Sequence, residues 1–189
     1  MVNYHIPTKL PKSFLDKLNL GLVLQVPIEP IELGKQIYCL DNVKSYLTYN
    51  PGSIKYGWIF SALGSVVIKL HGHVVVKDES GAFLCVTPPE APLDYHNFVP
   101  DDSVGDLVVN RRLPTRAFAL VDNKVVRQMV ELENKSDQAR LNGDKFGLDK
   151  VYLEKKRLGA EFLGTVKKYT GRNDPCYCGS GKKNKQCCQ

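Results

Sequence analysis

Four of the chain's six cysteines fall in its last stretch, as Cys176-Tyr177-Cys178, then eight residues, then Cys187-Cys188. Between them lie Gly179-Ser180-Gly181-Lys182-Lys183-Asn184-Lys185-Gln186, which carry almost nothing to bury. A segment this small has too little apolar core to fold unaided, so cross-links must hold it. Two close pairs of thiolates joined by a reversing turn supply the four soft donors that tetrahedral zinc needs. The glycines at 179 and 181 let the chain turn back so that the second pair faces the first. A disulfide framework is the other reading. It suits the spacing less well, because adjacent cysteines rarely bridge each other and nothing marks a secreted chain. Four protein thiolates would leave no open coordination position, which makes a metal here structural, with a local charge of about −2.

Gly171-Arg172-Asn173-Asp174-Pro175, Gly179-Ser180-Gly181-Lys182-Lys183 and the paired Cys187-Cys188 resemble the SEC-C motif. This is the zinc-binding tail of the translocation ATPase SecA, which also occurs on many other bacterial and phage proteins. The resemblance implies that Cys176, Cys178, Cys187 and Cys188 ligate one Zn²⁺. It also implies a docking role. In SecA the tail binds the chaperone SecB and is linked to phospholipid and ribosome contact. A protein partner through the tail is therefore the expectation here, with a SecB-like chaperone or the ribosome as options, although SecB itself does not follow from the resemblance.

The whole chain has 189 residues, room for one medium domain before the tail. Its formal charge is +6. Much of that lies late, at Lys150, Lys155, Lys156, Arg157, Lys167, Lys168, Arg172 and the tail lysines. Acidic partners, ribosomal RNA or anionic lipid are compatible with this, although a solvated helix face explains it as well. No aromatic residues interleave with the basic ones as a single-strand stacking surface requires, so nucleic acid is the weaker expectation. The start, Met1-Val2-Asn3-Tyr4-His5-Ile6-Pro7, lacks the basic-then-apolar pattern of a signal peptide. The most apolar stretch, Trp58 to Leu70, is too short and too interrupted to span a membrane. A cytoplasmic location with free or metal-bound thiols is expected. Phosphate-binding glycine loops are absent.

Along the chain, Pro11-Lys12-Ser13 offers a helix start, and Val23 to Ile28 reads as a short extended piece. The spacing of Ile37, Leu40, Val43 and Leu47 predicts a helix from about Gly34 to Leu47, stopped by Asn50-Pro51-Gly52. Residues 55 to 110 read as sheet, with a hairpin turn at Asp78-Glu79-Ser80-Gly81 and shorter strands at Phe98 to Asp101 and Asp106 to Val109. Helices are predicted over Asp122 to Asn142 and Leu148 to Tyr169. The expected fold class is α+β: an antiparallel sheet with packed helices, then a C-terminal helix and a small zinc knuckle. The expected divisions are residues 1–145, a basic connecting helix over 146–170, and the knuckle over 171–189.

A second constellation suggests chemistry. Cys39 lies in the first turns of a predicted helix, where the helix N-terminus favours a thiolate. His73 follows on a strand. A helix-borne cysteine followed by a strand-borne histidine resembles the order of papain-like and transglutaminase-like hydrolases, in which the histidine deprotonates the thiol. The run also resembles the front part of uncharacterised bacterial proteins with a SEC-C tail. The shared features are Cys39-Leu40-Asp41-Asn42-Val43, Gly57-Trp58, His73-Val74-Val75 and Gly81. The pattern ends in Asp-Val-Thr-Pro, whereas this chain has Cys85-Val86-Thr87-Pro88. Two alternatives follow: activity is impaired in this copy, or Asp94, Asn97 or Asp101 from the following loop orients the histidine instead. The resemblance implies Cys39 as nucleophile and His73 as general base. Against it stand an inert buried thiol and a satisfied strand histidine. A second zinc site from Cys39, His71, His73 and Cys85 is a further option. Three functions are thus expected in turn: a zinc-dependent adaptor with a cysteine-hydrolase-like front domain, an active thiol hydrolase or acyl transferase, and a ribosome- or RNA-associated zinc protein. Whether the chain is an enzyme stays open.

Overall fold

A computed structural model describes residues Asn3 to Cys188. Met1, Val2 and Gln189, the outermost residues of the expected front domain and knuckle, lie outside the described residues. The elements in order are α1 (Lys12–Lys17), β1 (Leu24–Pro27), α2 (Cys39–Tyr46), β2 (Ser53–Leu63), β3 (Val67–Lys77) and β4 (Phe83–Leu84). There follow β5 (Tyr95–Pro100), α3 (Ser103–Asp106), β6 (Thr115–Ala119), α4 (Lys124–Asn142) and α5 (Lys145–Tyr169), then a 3-10 turn at Asn184–Gln186. The pairs β1–β5, β2–β5, β3–β4 and β3–β6 are antiparallel, and with the flanking helices this is the expected α+β class. The chain forms two compact units: residues 1–10, 60–71 and 114–189, and residues 11–59 and 72–113.

In the second unit the strand order is β1-β5-β2-β3-β4. That order closes on itself. Ile28, just past β1, bridges Cys85, just past β4, and the Cys85 N–H donates to the Pro27 carbonyl at 2.9 Å. The result is a small barrel with no free edge at that seam. Its interior is apolar, with Val26, Val75, Cys85 and Phe98 fully buried together. Alternation along β3 sends Val74 and Val76 to the other face, where Cys39, Leu40 and Val43 of α2 cover them.

Several residues of the front pattern explain this packing. Gly57 lets β2 and β5 meet closely: a Cβ there would lie 2.2 Å from the Val99 carbonyl oxygen and 2.4 Å from the Phe98 ring. The Trp58 indole N–H donates to Asp101 Oδ2 at 2.8 Å. Asn42 is buried on α2 and clamps its surroundings. Its Oδ1 accepts from the Lys35 N–H at 3.0 Å, and its amide donates to the Lys35 carbonyl at 2.7 Å and to Thr87 Oγ1 at 3.2 Å.

In the first unit β6 pairs with β3, from Val67↔Ala119 to His71↔Thr115. The opposite edge of β6 is satisfied by side chains of α4. Asn134 accepts from the Ala117 N–H at 2.8 Å and donates to the Ala117 carbonyl at 3.1 Å, and Asp137 accepts from the Thr115 N–H at 2.8 Å. A half-buried ion network, Lys69–Glu133–Lys155, ties β3 to α4 and α5 with separations of 2.9 Å and 2.8 Å. Asn123 caps α4 through the Val125 and Val126 N–H groups. Gly143 ends α4 at φ 71°, and Asp144 immediately caps α5.

Three local expectations differ from the structure. Residues Gly34 to Tyr38 are not helical, because Ile37 takes φ 62° and α2 starts only at Cys39. The strand expected over Asp106 to Val109 is replaced by one turn of helix, α3, and a tight reversal bridging Val109 and Arg112. The last helix starts at Lys145 rather than Leu148.

Candidate metal centre

The C-terminal segment is built as a knuckle on the end of α5. Thr170 caps the last turn, its hydroxyl donating to the Val166 carbonyl at 2.7 Å. Asp174 then folds back to accept from the Gly171 N–H at 2.8 Å. The first cysteine pair sits in a reversal closed by the Gly179 N–H on the Cys176 carbonyl at 3.1 Å, with Gly179 at φ 79°. The return strand is pinned by Cys176 N–H to the Lys182 carbonyl at 2.8 Å. The second pair caps the 3-10 turn: the Cys187 and Cys188 N–H groups both donate to the Asn184 carbonyl, at 3.0 Å and 3.1 Å. Asn184 is the buried hub. Its N–H donates to the Asp174 carbonyl at 2.8 Å, and its amide reaches the Thr170 carbonyl at 3.3 Å.

This scaffold brings all four tail sulfurs within 4.8 Å of one another. Cys178 and Cys187 Sγ are 3.4 Å apart and Cys187 and Cys188 Sγ 3.9 Å. Tetrahedral zinc with Zn–S bonds of about 2.3 Å needs sulfurs about 3.8 Å apart, so the observed spacing brackets that of a zinc tetrathiolate. None of the four is in a disulfide. The donors and their spacing fit zinc, and the Ser180 hydroxyl, 3.3 Å from Cys187 Sγ, supplies a hydrogen bond to the sulfur cluster. The Cys178 thiol is held down to about 6, chiefly by Ser180 and by Cys187, whereas burial pushes Cys176 up to about 12.

The knuckle is not a free appendage. Cys176 and Tyr177 belong to the same buried cluster as Leu63, Val66, Phe162 and Val166. Cys176 is 0% exposed and Tyr177 7%. The Tyr177 carbonyl also accepts from the Asn3 N–H at 3.0 Å. Cys187, Cys188, Lys182, Lys183 and Lys185 lie on the exposed side.

Cys39 and His73 lie on different elements, α2 and β3. Cys39 is 3% exposed and packs with Val74, Val76 and Val86. Burial pushes its thiol up to about 12, which outweighs the helix N-terminus. His73 Nε2 instead lies 3.2 Å from Cys85 Sγ. His73, Cys85 and His96, all buried, form a second group with ligand atoms within 4.8 Å of one another. His71 is bound to Ser61, Nε2 to Oγ 2.8 Å, and is not in that group. His96 escapes sequence reasoning. Its only signal is its place two residues before Phe98 on an alternating strand, which puts both on one face.

Residues 172–189 match the family model of the SEC-C motif. The match spans all four tail cysteines. No curated protein and no solved structure matches the chain. No helix among the described residues is long and apolar enough to cross a membrane.

Proposed function

We propose that the protein is a zinc-dependent adaptor: the SEC-C knuckle holds one zinc ion and presents its outer face to a protein partner. The observation that carries this is the two-sidedness of the knuckle. One side, Cys176 and Tyr177, is consumed by the core of its own unit, and the other, Cys187-Cys188 with Lys182, Lys183 and Lys185, is exposed. Zinc fixes the shape of the exposed side and the lysines give it positive charge, which favours an acidic partner surface. By likeness to the SecA tail, a SecB-type chaperone or the ribosome is the first partner to try. A reducing compartment suits both the thiolate site and the free thiols.

The test uses purified SecB and purified ribosomes against the full zinc-loaded chain. Binding to either should weaken at least tenfold in Lys182→Glu/Lys183→Glu while zinc content stays the same. Binding that persists unchanged in that variant, or no binding to either probe, would count against the adaptor reading.

A further inference from the structure

The barrel of the second unit holds a polar group that its apolar surroundings do not call for. His73 comes from β3, Cys85 from just past β4, and His96 from β5, where it sits opposite Val26. Alternation turns all three inward. Cys85 continues the register that pairs Val76 with Leu84, so it faces Val75, the inward neighbour of His73. Around them are Val26, Val75 and Phe98, each fully buried. Two imidazoles and a thiol set among valines and a phenylalanine are costly unless something satisfies them. Cys85 and His73 meet at 3.2 Å, and the His73 and His96 rings are 5.1 Å apart, edge to face. His96 is itself only 8% exposed.

We propose that His73, Cys85 and His96 form a second metal site, for a borderline divalent ion of the zinc type, held by two neutral imidazoles and one thiolate. The geometry is close to that of a bound ion. Tetrahedral zinc with Zn–S of about 2.3 Å and Zn–N of about 2.0–2.1 Å needs S···N separations of about 3.5 Å and an N···N separation of about 3.4 Å. The three ligand atoms already lie within 4.8 Å of one another. A bound ion would hold Cys85 as the thiolate. Three protein ligands leave one position for water or a small anion, unlike the closed four-sulfur set of the knuckle. Borderline N and S donors select zinc-type ions over magnesium or calcium. His73 and His96 sit on strands of one sheet and Cys85 just past a third, so the site is pre-organised by the sheet and independent of the knuckle.

The full chain, loaded with zinc and desalted, should hold two ions, and X-ray absorption at the zinc edge should show a mixed nitrogen and sulfur shell. Cys85→Ser and His96→Phe should each lower the count from two to one and leave a sulfur-only shell. His96→Phe keeps an aromatic ring in the barrel, so it covers the case in which Cys85→Ser fails to fold. The parent spectrum needs no variant at all. One ion per chain with a sulfur-only shell in the parent, or an unchanged count in a folded His96→Phe variant, would overturn the proposal. In that case the Cys85–His73 contact is an ordinary thiol–imidazole hydrogen bond.

Discussion

Replacing Tyr177 with alanine tests whether the knuckle is part of a folded unit or hangs from α5. Tyr177 is 7% exposed and lies in one cluster with Leu63, Val66, Phe162, Val166 and the α4 residues Val126 and Met129. Removing a buried aromatic side chain from such a core costs about 3–5 kcal/mol, from lost burial and from the cavity left behind. At a urea dependence of about 2 kcal/mol per molar, the unfolding midpoint should fall by about 2 M. The measurement is equilibrium urea unfolding with zinc in excess, so that the loss reflects packing and not metal release. Tyr177→Phe is the control. It removes only a long hydroxyl contact to the Cys188 carbonyl, 3.4 Å, and should cost less than about 1 kcal/mol. If Tyr177→Ala moved the midpoint no further than Tyr177→Phe, the tail would not be packed in that core.

Other expectations follow from single contacts. Gly179→Ala would place a Cβ 2.7 Å from that of Asn3 at φ 79°, whereas Gly181 at φ 72° has nothing within 4 Å; zinc retention and melting should therefore suffer more in Gly179→Ala than in Gly181→Ala, which carries only the backbone strain of about 1–2 kcal/mol. Asn42→Ala should destabilise the second unit by about 1–3 kcal/mol, read by denaturant unfolding, because it removes the acceptor of the Lys35 N–H and the buried partner of Thr87 Oγ1. His71 provides an acid-sensitive element. Burial, then Lys69, lower its folded pKa from 6.5 to about 4, so the unfolded chain takes up a proton first as the pH falls. The stabilisation is complete above pH 6.5 and is lost down to about pH 4, by at most about 3 kcal/mol. His71→Gln should flatten that part of the pH–stability curve. Cys39, buried with a thiol pushed up to about 12, should resist iodoacetamide at neutral pH in the folded protein and react only on unfolding.

The tail cysteines were legible in the sequence because their ligand chemistry is local. All four lie within thirteen residues, Cys176 to Cys188, and glycines mark the turn. The docking of the same segment was not legible. A single aromatic, Tyr177, between two cysteines carries no periodicity, so its burial against α4 and α5 depends on tertiary packing. The helices α4 and α5 were readable from apolar spacing, but the start of α5 was set by the Gly143–Asp144 junction. The order of Cys39 and His73 was visible, but not the sheet face each would take. Because Val74 faces Cys39, the adjacent His73 must face the barrel interior, where it meets Cys85 and His96. Cys85, read from sequence as a missing aspartate, is thereby the partner that His73 meets. The strand β6 was missed because it is five residues long and its free edge is completed by side chains of α4.

The measurement closest to the central claim is zinc per chain in the full protein and in Cys187→Ser/Cys188→Ser. Both positions are exposed, so the substitutions leave the buried Cys176 and Tyr177 in place. The double variant should hold one zinc ion fewer than the parent while remaining folded. An equal zinc content in the two proteins would contradict a metal centre built on Cys176, Cys178, Cys187 and Cys188.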